Sequence, residues 1–139
     1  MPTIFTRIIE GQIPGTFVWR DECCVVFLSI NPMAHGHCLV VPIEEVDHWV
    51  DADSDLIAHL FEVTRVIGVA LKQAFACERV GVIIAGYEVP HTHIHVIPTQ
   101  SMSQLSFANA ATTIDRNSMD AAADAIRSAL RHAGRAEVC

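Results

Sequence analysis

From Asp21 to Thr64, and again from Val80 to Asp115, the chain contains neither lysine nor arginine. Nine basic residues face sixteen acidic ones, and the net charge is −7. Holding duplex nucleic acid requires a basic face to neutralise phosphates, so this balance excludes nucleic acid as a partner. Long apolar runs are also missing: none approaches the ~20 residues that cross a bilayer, so no membrane partner is expected. The segment Met1–Gly11 carries Glu10 early and has no extended apolar stretch, unlike a secretory leader, and the expected location is cytoplasmic. No C-x-x-C spacing occurs. The five cysteines are an odd number, with Cys23 and Cys24 adjacent, and read as free thiols of a reducing compartment. There is no internal repeat and no low-complexity linker. At 139 residues and 51% hydrophobic, the chain is expected to form one domain with a full core.

Histidine is abundant, and its placement is informative. In Pro90-His91-Thr92-His93-Ile94-His95-Val96-Ile97-Pro98, three histidines alternate with β-branched residues. Period two reads as a strand, with alternate side chains on one face. His91, His93 and His95 would then form a column of imidazoles about 7 Å apart per step. Thr92, Ile94 and Val96 would point into a core, and Pro90 and Pro98 would bracket the strand. Packing or solvation accounts for an isolated histidine such as His48, His59 or His132, but not for a column of three. Two chemistries remain: a transition metal held by imidazoles, or nucleophilic attack by one imidazole while its neighbours manage protons and charge. The column lies in the second gap in basic residues. A phosphate handled there would meet imidazoles and backbone N–H groups, unless an arginine arrives from elsewhere.

Around this stretch the pattern is α+β. Ile4 to Glu10 is a short helix with Thr3 as N-cap and Gly11 at its stop, turning Ile4, Ile8 and Phe5 inward. Thr16–Trp19 and Cys23–Ile30 read as a hairpin around Asp21-Glu22. His37–Val41 is a third strand. A long helix runs from Asp53 or Ser54 to about Phe75, with Leu56, Leu60, Val63, Ile67 and Leu71 as its apolar stripe. Arg79–Ala85 is nearly all apolar and reads as a strand buried on both faces, paired with the histidine strand. Ser101–Asn117 is loop, onto which Leu105 and Phe107 can dock. A last helix, Met119–Ala133, is capped by Asn117 or Ser118, and its terminal arginines, Arg127 among them, read as a solvated end. A five-stranded antiparallel sheet with helices on one face follows.

His91-Thr92-His93-Ile94-His95-Val96-Ile97 also resembles the signature of the histidine triad (HIT) family, His-x-His-x-His followed by two hydrophobic residues. Ile8–Pro14, Val26–Pro32 and Gly36-His37-Cys38-Leu39-Val40-Val41-Pro42 resemble the family's N-terminal helix and turn and its second and third strands, in the same order. The resemblance covers residues 4–98 of a single HIT domain spanning 1–139 and weakens over 99–139. It implies a homodimeric α+β fold that pairs across the sheet and long helix. It also implies a purine nucleotide substrate and a hydrolase or transferase acting at the α-phosphate through a nucleotidyl–histidine intermediate, without a cofactor. His93 would be the nucleophile, His95 a phosphate contact, His91 its orienting neighbour and His37 a companion. Phe5, Ile9, Phe27, Ser29, Asn31, Glu88 and Val89 would contact the nucleotide.

The chain departs from the family pattern at several places. Ser29 replaces an acidic ribose contact, Val80 an amide facing the phosphate, Tyr87 a glutamine, Glu88 a small polar residue, and Thr99 an arginine or glycine. The Cys-x-x-Cys that some bacterial members use for structural zinc is Thr3-Ile4-Phe5-Thr6, so no such zinc site is expected. Two other readings stand beside the enzyme: a nucleotide-binding sensor without efficient turnover, and a metal protein using His91, His93, His95 and His37.

Overall fold

The computed structural model describes residues 1–139. In chain order the elements are α1 (Ile4–Ile9), β1 (Phe17–Arg20), β2 (Cys24–Leu28), β3 (Cys38–Pro42), α2 (Ser54–Ala74), β4 (Arg79–Ile83), β5 (Ile94–Thr99) and α3 (Arg116–His132). Short 3-10 turns cover Trp49–Asp51, Met102–Gln104 and Phe107–Asn109. The five strands form one antiparallel sheet in the order β1-β2-β3-β5-β4. No helix is long and apolar enough to cross a membrane.

Two apolar clusters lie on opposite faces of this sheet. On one face α2 and α3 pack over Val26, Leu28, Val40, Ile94 and Val96. The stripe predicted for α2 supplies Leu60, Val63, Ile67 and Leu71, all buried, while Leu56 packs at the margin. On the other face α1 covers Val25, Phe27, Leu39 and Val41 through Phe5. The helices are therefore not confined to one face, as the strand and helix pattern suggested: α1 takes the second, and with both faces covered every residue of β2 and β3 is buried. Within α1, Phe5 is the buried residue while Ile4 stays half exposed, so the inward face is narrower than expected.

Other expectations need correction. β4 is not buried on both faces: it is the sheet's edge, with Arg79 and Val82 exposed. An apolar run reports the composition of a strand but not its place in the sheet. On the α2 side Val80 packs beside the core, so it does not face the histidines. On the other side Leu105 docks against Gly81, where any Cβ would come within 2.5 Å of a Leu105 methyl. The prolines do not bracket the histidine strand either. β5 begins only at Ile94, because Thr92 turns away and donates both its N–H and its hydroxyl to the Val46 carbonyl, each at 2.7 Å. Pro98 lies inside β5. Pairing with β3 ends at Val96, so Pro98 faces a partner strand on one side only and its missing N–H breaks no ladder.

α3 starts at Arg116, three residues before the expected Met119. Asp115 is the cap, its carboxylate accepting the Asn117 N–H at 3.2 Å, which places Asn117 and Ser118 inside the helix. Arg127 is not a solvated helix end: its guanidinium donates to the Phe17 carbonyl at 2.7 Å and so ties α3 to β1. His59 is a satisfied side chain, as expected of an isolated histidine: its Nε2 lies 2.7 Å from the Asp21 carboxylate in the β1–β2 turn. Burial alone would raise the Asp21 pKa, but hydrogen bonds from the Trp19 indole, the Cys23 and Cys24 amides and His59 outweigh it and hold the pKa at about 2.

Candidate active site

Strand register places the site. Phe27 pairs with Leu39, and Leu39 with His95, so the three stand in a row across β2, β3 and β5 on the face under α1. Two residues before Leu39, just ahead of β3, sits His37, and two residues before His95, just ahead of β5, sits His93. The imidazoles are closer than the spacing of a strand predicts, because the rings tilt together. His93 and His95 have ring centroids 4.9 Å apart, and His37 and His95 are 5.1 Å apart. Phe5 wedges in from α1 with its ring 4.9 Å from His93 and 5.5 Å from Phe27. His91 lies behind this group, fully buried.

The hydrogen bonds determine every proton position. The Met33 amide donates to His37 Nδ1 at 3.0 Å, so the His37 proton is on Nε2. That N–H meets His95 Nδ1 at 2.9 Å, which leaves the His95 proton on Nε2, toward the cavity. His93 Nδ1 lies 2.7 Å from the His91 carbonyl oxygen and must donate to it. The lone pair of His93 is therefore on Nε2. His91 Nε2–H donates to the Pro42 carbonyl at 2.7 Å, and its Nδ1 accepts the Thr3 hydroxyl at 2.7 Å. The site thus offers one free lone pair, on His93, beside one N–H donor, on His95.

All four imidazoles are neutral near pH 7. Burial pushes the His37 pKa down to about 3, helped by like-charge repulsion from His95 and His93. Burial and His93 together bring His95 to about 4. Burial also lowers His91 and His93, although the carbonyls of Pro42 and His91 pull the other way. In the free site His95 therefore presents a neutral N–H dipole to the cavity.

These groups open into a cavity of about 480 Å³. Of the residues expected at the site, Phe5, Phe27, Ser29, Asn31, His37, Glu88, Val89, His93 and His95 line it. Ile9 and His91 do not. Ile9 packs beside the small apolar cluster, and Ile4 and Ile8, one helical turn apart, supply the α1 wall instead. Sequence reasoning missed the wall built by the segment after β5, which contributes Phe107, Ala111 and Arg116. The signal was faint: two apolar residues, Leu105 and Phe107, in an otherwise polar stretch.

Thr3 and Thr6 are fully used in hydrogen bonding. The Thr6 hydroxyl donates to Glu45 at 2.6 Å, and the same carboxylate oxygen accepts the Thr3 N–H at 2.7 Å. Together with the Thr3–His91 bond, this clips α1 to the histidine segment. Neutral hydroxyls in place of thiolates do not suit a structural zinc.

The HIT domain family model matches residues 10–102. The chain belongs to the HIT family. A HIT-like protein of Saccharolobus solfataricus is 33% identical over 103 residues, covering 70% of this chain and 74% of that one. An adenylylsulfatase of Arabidopsis thaliana is 28% identical over 100 residues, 68% of this chain and 51% of that protein. Among solved structures, a histidine triad nucleotide-binding protein of Sulfolobus tokodaii superposes with a TM-score of 0.83 at 26% identity, covering 94% of this chain and 93% of that one. The five-stranded HIT fold and a family-level role in nucleotide binding and hydrolysis or transfer are thereby placed. The loop after residue 102 and α3 lie beyond the family match.

Proposed function

We propose that this HIT protein is a nucleotidyl hydrolase or transferase that cleaves its substrate at the α-phosphate through a covalent intermediate on His93. The observation that carries the reading is the single free lone pair: His93 Nδ1–H is committed to the His91 carbonyl, so Nε2 faces the cavity ready to attack. The base packs among Phe5, Ile8 and Phe27, and Ser29 and Asn31 face the ribose. His93 Nε2 forms a bond to the α-phosphorus as the bond to the leaving group breaks, and the electron pair departs with that group. His95 Nε2–H donates to the phosphoryl oxygens, where charge accumulates. Water then attacks phosphorus, the P–N electron pair returns to His93, and a nucleoside monophosphate leaves. Hydrolysis consumes one water and delivers its proton to the leaving group. Phosphoramidates, dinucleoside polyphosphates and adenylyl mixed anhydrides all fit this chemistry. The adenylylsulfatase relative makes adenylyl sulfate a natural first assay.

A homodimer is part of this reading. Edge strand β4 with exposed Val82, and exposed Phe61 and Val69 on α2, offer an apolar surface for an isologous partner. A second reading, a nucleotide sensor with little turnover, draws on the Glu88 carboxylate lining the cavity. The metal reading is the least supported, because the hydrogen bonds occupy both nitrogens of His91 and of His37.

The deciding experiment incubates wild type and His93→Ala with adenosine 5′-phosphoramidate, quenches without acid, and measures both protein mass and AMP release. An adenylyl adduct in wild type, lost together with turnover in His93→Ala, is the expected result. Turnover that persists in His93→Ala overturns the mechanism. Binding without adduct or release in wild type selects the sensor.

A further inference from the structure

We infer that Arg116 selects substrates carrying a second phosphate, on the ribose. The inference rests on the nucleotide reading above and adds a substrate class to it. The wall that carries Arg116 is built onto the end of the site where Ser29 and Asn31 lie. The Asn31 side-chain amide donates to the Ala111 carbonyl at 3.1 Å, and the Ala111 N–H returns to the Pro32 carbonyl at 3.0 Å. From the same wall Phe107 stands edge-on to His95, with centroids 5.1 Å apart. This segment lies outside residues 10–102, the part of the chain that the family model matches.

Arg116 itself is electrostatically out of place. It is the first residue of α3, where the helix field disfavours a cation. No carboxylate compensates. Its Nη1 donates to the Thr16 hydroxyl at 3.2 Å and lies 3.7 Å from the Met119 sulfur, both neutral. Adjacent Asp115 directs its carboxylate to the Asn117 amide. The ion pairs in the structure involve His59, Arg65 and Arg127, not Arg116. In a chain of net charge −7, an arginine on a cavity wall with only neutral partners retains its full capacity to bind an anion.

The remaining polar groups at this end agree in sign. Ser29 Oγ accepts the Asn31 N–H at 3.1 Å, and Thr16, the partner of Arg116, precedes β1 and pairs through its carbonyl with Leu28 N–H, next to Ser29. The only carboxylate lining the cavity is Glu88, from the loop before the histidines. With the α-phosphate at His93 and the base against Phe5 and Phe27, the ribose edge faces hydroxyls, an amide and a guanidinium. A carboxylate there would accept hydrogen bonds from free ribose hydroxyls. A guanidinium instead pairs with a ribose phosphate, the same exchange that separates the two nicotinamide dinucleotides.

The test is titration calorimetry of 5′-AMP, adenosine 3′,5′-bisphosphate and adenosine 2′,5′-bisphosphate against wild type, Arg116→Gln and Arg116→Lys, with circular dichroism as a check on folding. At least one bisphosphate should bind wild type tenfold or more tightly than 5′-AMP. That ratio should fall to within about threefold of unity in Arg116→Gln and recover in part in Arg116→Lys. Equal wild-type affinities, or a ratio unchanged in Arg116→Gln, overturn the role of Arg116 and leave the His93 mechanism standing. Failure of all three nucleotides to bind overturns both. If instead Arg116→Gln selectively slows hydrolysis of substrates with anionic leaving groups while the bisphosphate ratio stays at unity, the ribose assignment is wrong and Arg116 serves the other end of the scissile bond.

Discussion

His37 Nε2 lies 2.9 Å from His95 Nδ1, and the Met33 amide behind His37 decides which ring holds the proton. The donor that His95 turns to the substrate is therefore set two groups away, through His37, by a backbone N–H. His37 never touches the phosphate in this scheme; it positions the group that does. His37→Ala should lower kcat about tenfold with little change in KM, because His95 can then adopt either tautomer. Replacing His95 itself with alanine should cost about 10²–10³-fold, the scale for losing one transition-state donor. The check is steady-state kinetics of both variants; equal losses would place His37 in direct contact with substrate.

Burial of neutral imidazoles makes the fold acid-sensitive. His37 and His95 have folded pKa values of about 3 and about 4, below the unfolded value near 6.5. Between these limits the unfolded chain binds more protons, so stability falls as pH drops below about 6.5. The slope approaches about 1.4 kcal/mol per pH unit for each group. Denaturant midpoints measured from pH 7 to pH 5 should decline steadily, and His37→Asn should make the decline shallower. A flat profile would mean that the histidines are solvated.

Removing the Thr3–His91 bond tests the clip. Thr3→Val loses both the α1 cap and the donor to His91 Nδ1, and should cost about 1–3 kcal/mol. Prolonged chelation of the wild type, in contrast, should leave its melting temperature and activity unchanged. A loss restored by added zinc would show that this clip is not what holds α1.

Glu88→Gln addresses the carboxylate at the cavity mouth. Glu88 is solvent-exposed, so its repulsion of a bound phosphate is partly screened. Neutralising it should tighten nucleotide binding about two- to fivefold at low salt and hardly at all near 0.5 M. Binding that weakens at either salt would mean that the carboxylate is a contact.

Most of this architecture was legible because it rests on local period. The stripe on α2 and the alternation at His93 and His95 each announce one face of one element. What was not legible depends on tertiary neighbours. Position in the sheet left β4 at the edge despite its apolar sequence. Thr92 found the Val46 carbonyl, 46 residues away in sequence, and so shortened β5. Asp115, Asn117 and Ser118 can all cap a helix, and only the folded chain shows which one does. Arg116 joined the site from 21 residues after His95, through a loop whose composition says little. The tautomers were the hidden part of the chemistry, since they depend on Met33, Pro42 and Thr3, which carry no catalytic signal of their own.

The edge strand gives the last prediction. β4 pairs on one side only, and its exposed Val82 shares the α2-facing side of the strand with Val80. On α2, Phe61 and Val69 stay 42% and 45% exposed, large side chains for a helix face that meets water. An open edge beside an apolar helix face is an aggregation hazard unless something covers it, and a twofold axis through β4 and α2 covers both copies at once. Sedimentation equilibrium at micromolar concentration should therefore report a dimer. The double variant Phe61→Glu/Val69→Glu should be monomeric, because two buried like charges per copy would face their counterparts across the axis. A monomeric wild type would contradict the prediction and leave the edge to be guarded by its own charge, Arg79.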